Sequence, residues 1–230
     1  MLFEPAAAAG EGPSGLREWP RPFVFRAAHI DGAIAGLTIA PGSRFHVGVN
    51  LFEMRRPLVE YFRDALARLA AEGLGPGRGR AVLESVEGMD PLRLPLVTQG
   101  EPISRVRISF QTPTELKGAE TPEFGILLAR IRDRISTLRA LYGAGPLAID
   151  FKAMGERAAR VAMTRCDLKH VEAERRSGRT GMRHPLGGFV GEAEYAGDLA
   201  EFAPYLEIAR WTGVGRQTVW GKGEIALKYF

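Results

Sequence analysis

From Arg21 onward apolar positions recur with a period of two or of about 3.6, and the two periods alternate along the chain. In the first half, residues 22–28 and 36–40 read as strands. Phe45, Val47, Val49 and Leu51 alternate within 44–52, which turns that face inward and His46 away from it. Pro57 opens a helix carrying Leu58, Phe62, Leu66 and Leu69 at helical spacing, and Gly73, Gly75, Pro76 and Gly77 close it. Residues 80–86 read as a further strand. The segment 1–20, with Pro5, Gly10, Gly12, Pro13 and Gly15, follows neither period and reads as a flexible lead-in to a first domain at 21–98.

The second half, 99–230, holds a complete pattern. Residues 105–110 alternate cleanly, and Thr121 and Pro122 start a long helix with Phe124, Leu127, Leu128, Ile131, Ile135 and Leu138 on one side. Arg130 and Arg134 share another face, with Asp133 as their surface ion-pair partner. An ambiguous stretch at 148–159 leads to strands at 160–168 and 188–195, a helix at 198–209 and a last strand at 224–230. Strand, helix, strand, strand, helix, strand is the split βαβ, ferredoxin-like plan, with helices on one face of an antiparallel sheet and the other face free for a ligand. The fold class is therefore α+β, as a tandem ferredoxin-like pair whose N-terminal copy is incomplete.

Composition narrows the setting. At 230 residues the chain suits two small domains of about 100 residues each. No apolar run reaches membrane-spanning length, and Met-Leu-Phe-Glu-Pro lacks the basic start of a secretory signal, so a cytoplasmic protein without a membrane partner is expected. The single cysteine, Cys166, excludes an internal disulfide framework. A net charge of +4 leans toward polyanions.

Where the charge falls matters more than its total. Arg175, Arg176, Arg179 and Arg183 crowd a connector that has no acid from 175 to 184, with His170 and His184 at its flanks. Such a connector suits phosphate contacts or an RNA stem, and equally a solvated loop that shields a sheet edge. Near the end, Gly213, Gly215, Arg216, Thr218, Gly221, Lys222 and Gly223 form a glycine-rich loop with two cations. It suits a phosphodiester chain, and equally a tight turn between a helix and a final strand. Common nucleotide motifs fail here: Gly223 occupies the hydroxyl position of a phosphate loop, and Thr218 the third glycine of a dinucleotide fingerprint. Cys166, His170 and His184 supply only three ligands at loose spacing, so no metal and no cofactor is expected.

Taken in order, residues 106–116, the long helix, Glu174-Arg175-Arg176-Ser177-Gly178-Arg179, Leu186-Gly187-Gly188-Phe189-Val190-Gly191, Tyr195-Ala196-Gly197-Asp198-Leu199 and the terminal loop resemble the CRISPR precursor-RNA processing endoribonucleases of the RAMP superfamily, the "Cas-six" family. Pro20-Arg21-Pro22-Phe23-Val24, the 45–52 strand, and Gly73-Leu74-Gly75 with Gly77-Arg78-Gly79 extend the resemblance through the first half. It implies CRISPR repeat RNA as the partner, other Cas ribonucleoprotein subunits around it, and metal-independent cleavage by a ribose 2′-hydroxyl that leaves a 2′,3′-cyclic phosphate. A base, an acid and cations around the phosphorane are then needed. The candidates are His184 first, then His46 and His170, with the 175–183 arginines and the glycine loop seating the RNA. Two departures stand out. The family's usual first strand and helix would precede Leu2-Phe3-Glu4-Pro5, and Gly213-Val214-Gly215-Arg216 replaces an expected His-Val-Gly-Lys. These departures keep a non-catalytic RNA-binding RAMP protein as the alternative, and an unpaired edge in the first domain leaves room for a partner chain, a homodimer included.

Overall fold

The computed structural model describes residues 20–26, 29–30, 33–34, 40–53, 58–75, 77–88, 90–98, 100–172, 174–176 and 183–230, with 29–30, 33–34, 174–176 and 183–185 described by their backbone alone. In the first half, β1 (Phe23–Phe25) pairs antiparallel with β4 (Val49–Leu51), while β2 (His29–Ile30) and β3 (Ala33–Ile34) form a short hairpin. Helix α1 (Leu58–Glu72) presents Leu58 and Phe62, one turn apart, to Phe23, whose ring meets that of Phe62 edge-on at 4.9 Å.

This half departs from the pattern reading in ways that share a cause. Val47 is exposed and the strand begins only at Val49; Leu69 is exposed while Ala70 is buried in its place. Residues 80–86 join no sheet, and Val82 is 85% exposed. Alternation becomes a buried strand only where a neighbouring strand supplies hydrogen bonds and a second layer covers the face. Among the described residues, 80–86 has no such neighbour.

The second half is built as its pattern predicts. β5 (Arg105–Thr114) buries Val106, Ile108, Phe110 and Thr112 in strict alternation. After it come α2 (Phe124–Tyr142), α3 (Phe151–Ala158), β6 (Ala162–Val171), β7 (Glu174–Arg176), β8 (Arg183–Pro185), β9 (Gly188–Ala196), α4 (Ala203–Thr212), a 3-10 turn (Thr218–Trp220) and β10 (Ile225–Tyr229). The four-stranded sheet runs β10-β5-β9-β6 and every neighbour is antiparallel, the order a ferredoxin-like unit requires. Leu127, Leu128 and Ile131 of α2 and Leu206 and Ala209 of α4 cover one face, closing a core around Val106, Ile108 and Tyr195. The fully buried Tyr195 is satisfied by donating its hydroxyl to the Pro122 carbonyl at 2.7 Å.

Three local readings are corrected. Helix α2 starts at Phe124 after Glu123, whose side chain makes no cap, rather than at Thr121. Helix α4 starts at Ala203, because Pro204 fits only a first turn. Asp133 bonds Arg132 at 3.0 Å, not Arg130 or Arg134. The ambiguous stretch contains α3, capped by Asp150 accepting from the Ala153 N–H at 2.9 Å. Among the described residues no helix is long and apolar enough to cross a membrane.

The halves meet at the C-terminal end of α4. Its last carbonyls, which no helical N–H can reach, are taken by side chains instead. Arg26, the residue after β1, donates to the Arg210 carbonyl and, at 2.7 Å, to that of Trp211, and Asn50 from β4 donates to Trp211 at 2.8 Å. From α2, Arg134 donates to Thr212 at 2.8 Å. Beyond the helix, Val219 of the 3-10 turn packs against the cluster around Phe23, Leu58 and Phe62.

A Cβ at Gly223 (φ +73°) would stand 1.9 Å from the Val214 carbonyl oxygen, a backbone atom that cannot swing aside. We expect Gly223→Ala to lower unfolding free energy by roughly 3 kcal/mol or more, and Gly77→Ala, with nothing within 4 Å, to change it by less than about 0.5 kcal/mol, in chemical denaturation.

Candidate nucleic-acid interface

The strands β6 and β9 pair to the end of the sheet, and the chain between them carries a further two-stranded pair. His170 lies opposite Phe189 and Val171 opposite Gly188 at the sheet's end; beyond them, β7 and β8 pair with Glu174 opposite Pro185, Arg175 opposite His184 and Arg176 opposite Arg183. The connector read as basic is therefore a hairpin, and its backbone register puts His184 level with Arg175. Arg179 lies outside the described residues. His170 is exposed on β6. His46 is also exposed but belongs to the first half, ahead of β4, so the three candidate histidines occupy two separate places in the chain's architecture.

The glycine loop is an internal crossing of backbone. Val214 N–H donates to the Gly223 carbonyl at 2.8 Å, Gly223 N–H to Pro113 at 3.1 Å and Arg216 N–H to Glu115 at 3.0 Å, so the loop is stitched to itself and to the end of β5. Gly215 lies directly on the Glu115 carbonyl. Gly221 closes the 3-10 turn by donating to Thr218 at 3.0 Å, and Thr218 itself is buried. These amides point into protein, which removes them as a phosphate cradle in this conformation.

Its two cations divide. Lys222 is only 3% exposed and its ammonium is enclosed by the Gly187 carbonyl at 2.7 Å, Glu115 at 3.1 Å and Gln217 Oε1 at 3.1 Å. The reading of Lys222 as a presented phosphate ligand is corrected on that ground: its donors are spent inside. Arg216 bonds the same carboxylate at 2.8 Å yet leaves 60% of its side chain in solvent. Partial burial pushes the Glu115 carboxyl up, but the hydrogen bonds from Lys222 and Arg216 outweigh it and hold the group below the usual carboxylate range. Glu115 had no signal in the sequence, since what marks it is the convergence of two cations from the far end of the chain.

The sheet face opposite the helices is charged but largely self-satisfied. Glu194, 3% exposed, accepts from Arg105 at 2.7 Å and from Arg107 at 2.6 Å. Hydrogen bonds from Arg107 and then Arg105 hold its carboxyl below the usual range. Ser109 donates to Glu192 at 2.9 Å. On this face the guanidinium groups of Arg105 and Arg107 are thus answered by acids. Among the described residues no group of three or more His, Cys, Asp or Glu is placed to hold a metal ion.

An antiparallel β10-β5-β9-β6 sheet under two helices, with a first half docked on α4, defines an α+β, tandem ferredoxin-like RAMP architecture. A family model described as CRISPR-associated endoribonuclease Cas6 matches residues 108–225, and a second, described as an N-terminal domain, matches residues 1–110. The chain belongs to the Cas6 endoribonuclease family. Among solved structures it is similar to a Cas6 (TTHB231) product complex, with a TM-score of 0.64 and 18% identity over 92% of this chain and 84% of that one. A Cas6 (TTHA0078) product complex gives 0.51 and 21% over 90% and 82%, and Thermus thermophilus Cas6 (TTHB231) gives 0.51 and 18% over 90% and 79%. No curated protein matches the chain.

Glu115→Gln leaves the enclosed Lys222 without its anion, and we expect it to cost about 1–3 kcal/mol at pH 7. Because the folded carboxyl lies below its ordinary value, the stabilisation is complete above that value and is lost as pH falls through the folded one. The gap between wild type and variant in denaturant midpoints should therefore close on acidification; a gap constant from pH 7 to pH 3 would contradict this assignment.

Proposed function

We propose that this protein binds CRISPR repeat RNA and cleaves it within the precursor transcript. The observation that carries the reading is the Cas6 family match over a βαββαβ module whose β6–β9 pair continues into an arginine-bearing hairpin. The related TTHB231 and TTHA0078 Cas6 structures are product complexes, which supports a nucleic-acid role for the shared fold.

In this reading Arg175, Arg176, Arg179 and Arg183 seat the repeat through its phosphates, and the exposed side chain of Arg216 adds a cation at the rim of the glycine loop. The ribose 2′-hydroxyl attacks the adjacent phosphorus in line. The P–O5′ bond breaks, a base takes the hydroxyl proton, an acid returns one to the departing 5′-oxygen, and a 2′,3′-cyclic phosphate remains. No metal or cofactor is invoked. His184, opposite Arg175 in the hairpin register, is the first candidate for proton transfer, with His170 on the adjoining strand and His46 in the first half as the others.

A specific observation favours a second reading, a RAMP protein that binds the repeat without cutting it. Gly213 stands where the family resemblance leads one to expect a histidine, and its φ of +73°, with Thr218 side-chain carbons 3.0 and 3.1 Å from where a Cβ would lie, makes any side chain there strained. Restoring that residue would strain the loop, so we expect Gly213→His to destabilise the fold rather than to raise activity.

The deciding experiment is cleavage of an end-labelled repeat RNA in EDTA beside a copy with a single 2′-deoxy nucleotide at the cut. The nuclease reading predicts one cut that survives EDTA, disappears with the deoxy substitution, and slows by about 100-fold or more in His184→Ala. Tight binding without a cut establishes the second reading, and no binding overturns both.

A further inference from the structure

Two arginines meet where the halves of the chain meet, and among the described residues neither has a carboxylate against it. Arg26 comes from the end of β1 and Arg134 from the middle of α2, and both reach the final carbonyls of α4. Arg26 uses Nη2 for Arg210 and Trp211, and Arg134 uses Nε for Thr212. Each guanidinium then has a terminal nitrogen left over. Arg26 Nη1 and Arg134 Nη2 are both shut off from solvent with no hydrogen-bond acceptor. A helix C-terminus offers about half a negative charge, which does not balance two whole positive ones. The imbalance shows in their proton affinities. Burial, together with repulsion from Arg26, pushes Arg134 down to about 10; burial also lowers Arg26, and Glu224 opposes it only through space.

Buried cationic donors without partners are uncommon in finished interiors. Lys222 and Arg107 find Glu115 and Glu194, whereas Arg130 Nε on α2 is a further buried guanidinium nitrogen with no acceptor among the described residues. The Arg26–Arg134 pair is set apart by its position beside Thr212 and Gly213, at the start of the glycine loop, with one member on each half of the chain.

We infer that Arg26 and Arg134 together bind a phosphate oxyanion of the RNA backbone at the joint between β1 and the end of α4. The inference rests on the RNA-binding reading above and adds a second contact point to it, away from the hairpin. Two guanidinium groups offering one free N–H edge each match a tetrahedral anion, and a neutral base would leave their charge unanswered. Both nitrogens are enclosed in the RNA-free protein, so the end of β1 has to lift from α4 for the anion to arrive. The hydrogen bonds Arg26 and Asn50 make to α4 are what that movement exchanges.

The test compares wild type with Arg26→Gln and Arg134→Gln in two assays. The first is the salt dependence of repeat-RNA affinity, where losing one phosphate contact should flatten the slope of log K against log salt by about 0.7 in each variant. The second is the melting temperature in inorganic phosphate against chloride at equal ionic strength, where wild type should gain and the variants should not. Circular dichroism checks that each variant is folded. Where a glutamine variant is not folded, Arg26→Lys or Arg134→Lys replaces it, which keeps the charge but loses the planar fork that bonds a carbonyl and the anion from separate nitrogens, and a several-fold loss of RNA affinity is then expected. Folded variants that keep the wild-type slope, or lysine variants with wild-type affinity, overturn the inference while leaving RNA binding intact. If wild type fails to bind RNA, the RNA-binding reading falls. The melting assay then decides alone: a phosphate effect abolished by the substitutions marks a free-phosphate site, and no effect ends the proposal.

Discussion

The end of helix α4 is the constraint on which the rest of this structure depends. Any helix finishes with carbonyls that have no internal donor, and here they are answered by side chains from three other parts of the chain. Arg134 binds the helix end to the body of the second half, and Arg26 and Asn50 bind the first half to the same point. The chain then leaves α4 through Gly213 and must cross back over the end of β5 to form the edge strand β10. Backbone crossing backbone at van der Waals distance admits no Cβ, and the glycines are where that crossing happens. Joint and loop are one construction, because Val219, carried by the loop, packs against the small apolar cluster of the first half.

Charge is then distributed by what the fold leaves unpaired. Acids answer the arginines on the open sheet face, and Glu115 answers Lys222 and, in part, Arg216. Arg26 and Arg134 at the joint have no carboxylate against them among the described residues, and the 175–183 connector is rich in arginine by sequence. In the proposed reading those are the two places where repeat RNA makes its contacts.

Much of this was readable in the amino-acid sequence, and the failures have definite physical origins. The alternation of Val106, Ile108 and Phe110 and the helical spacing of Leu127, Leu128, Ile131 and Ile135 gave the second half correctly, since each meets a covering layer. The strand reading at 80–86 misled, because pairing is a non-local property that a local apolar run does not contain. Glycines at 213–223 announce an unusual backbone but not its cause. A phosphate cradle and a backbone crossing need the same residue, and the deciding partner, Glu115, is 101 residues from Arg216 along the chain. Lys222 looked available for the same reason. Arg26 and Asn50 carried no signal at all, being a lone basic residue and a lone amide on short strands, and only the folded chain brings them to one helix end.

Amide hydrogen exchange of the RNA-free protein, resolved by residue, bears most directly on the claim that the glycine loop is an internal joint. The structure predicts that the amides of Val214, Arg216 and Gly223 are protected to a degree comparable with the central amides of β5 before any RNA is added. Rapid exchange at these three positions in the free protein, with protection acquired only on binding RNA, would contradict it and return the loop to the role of a phosphate cradle.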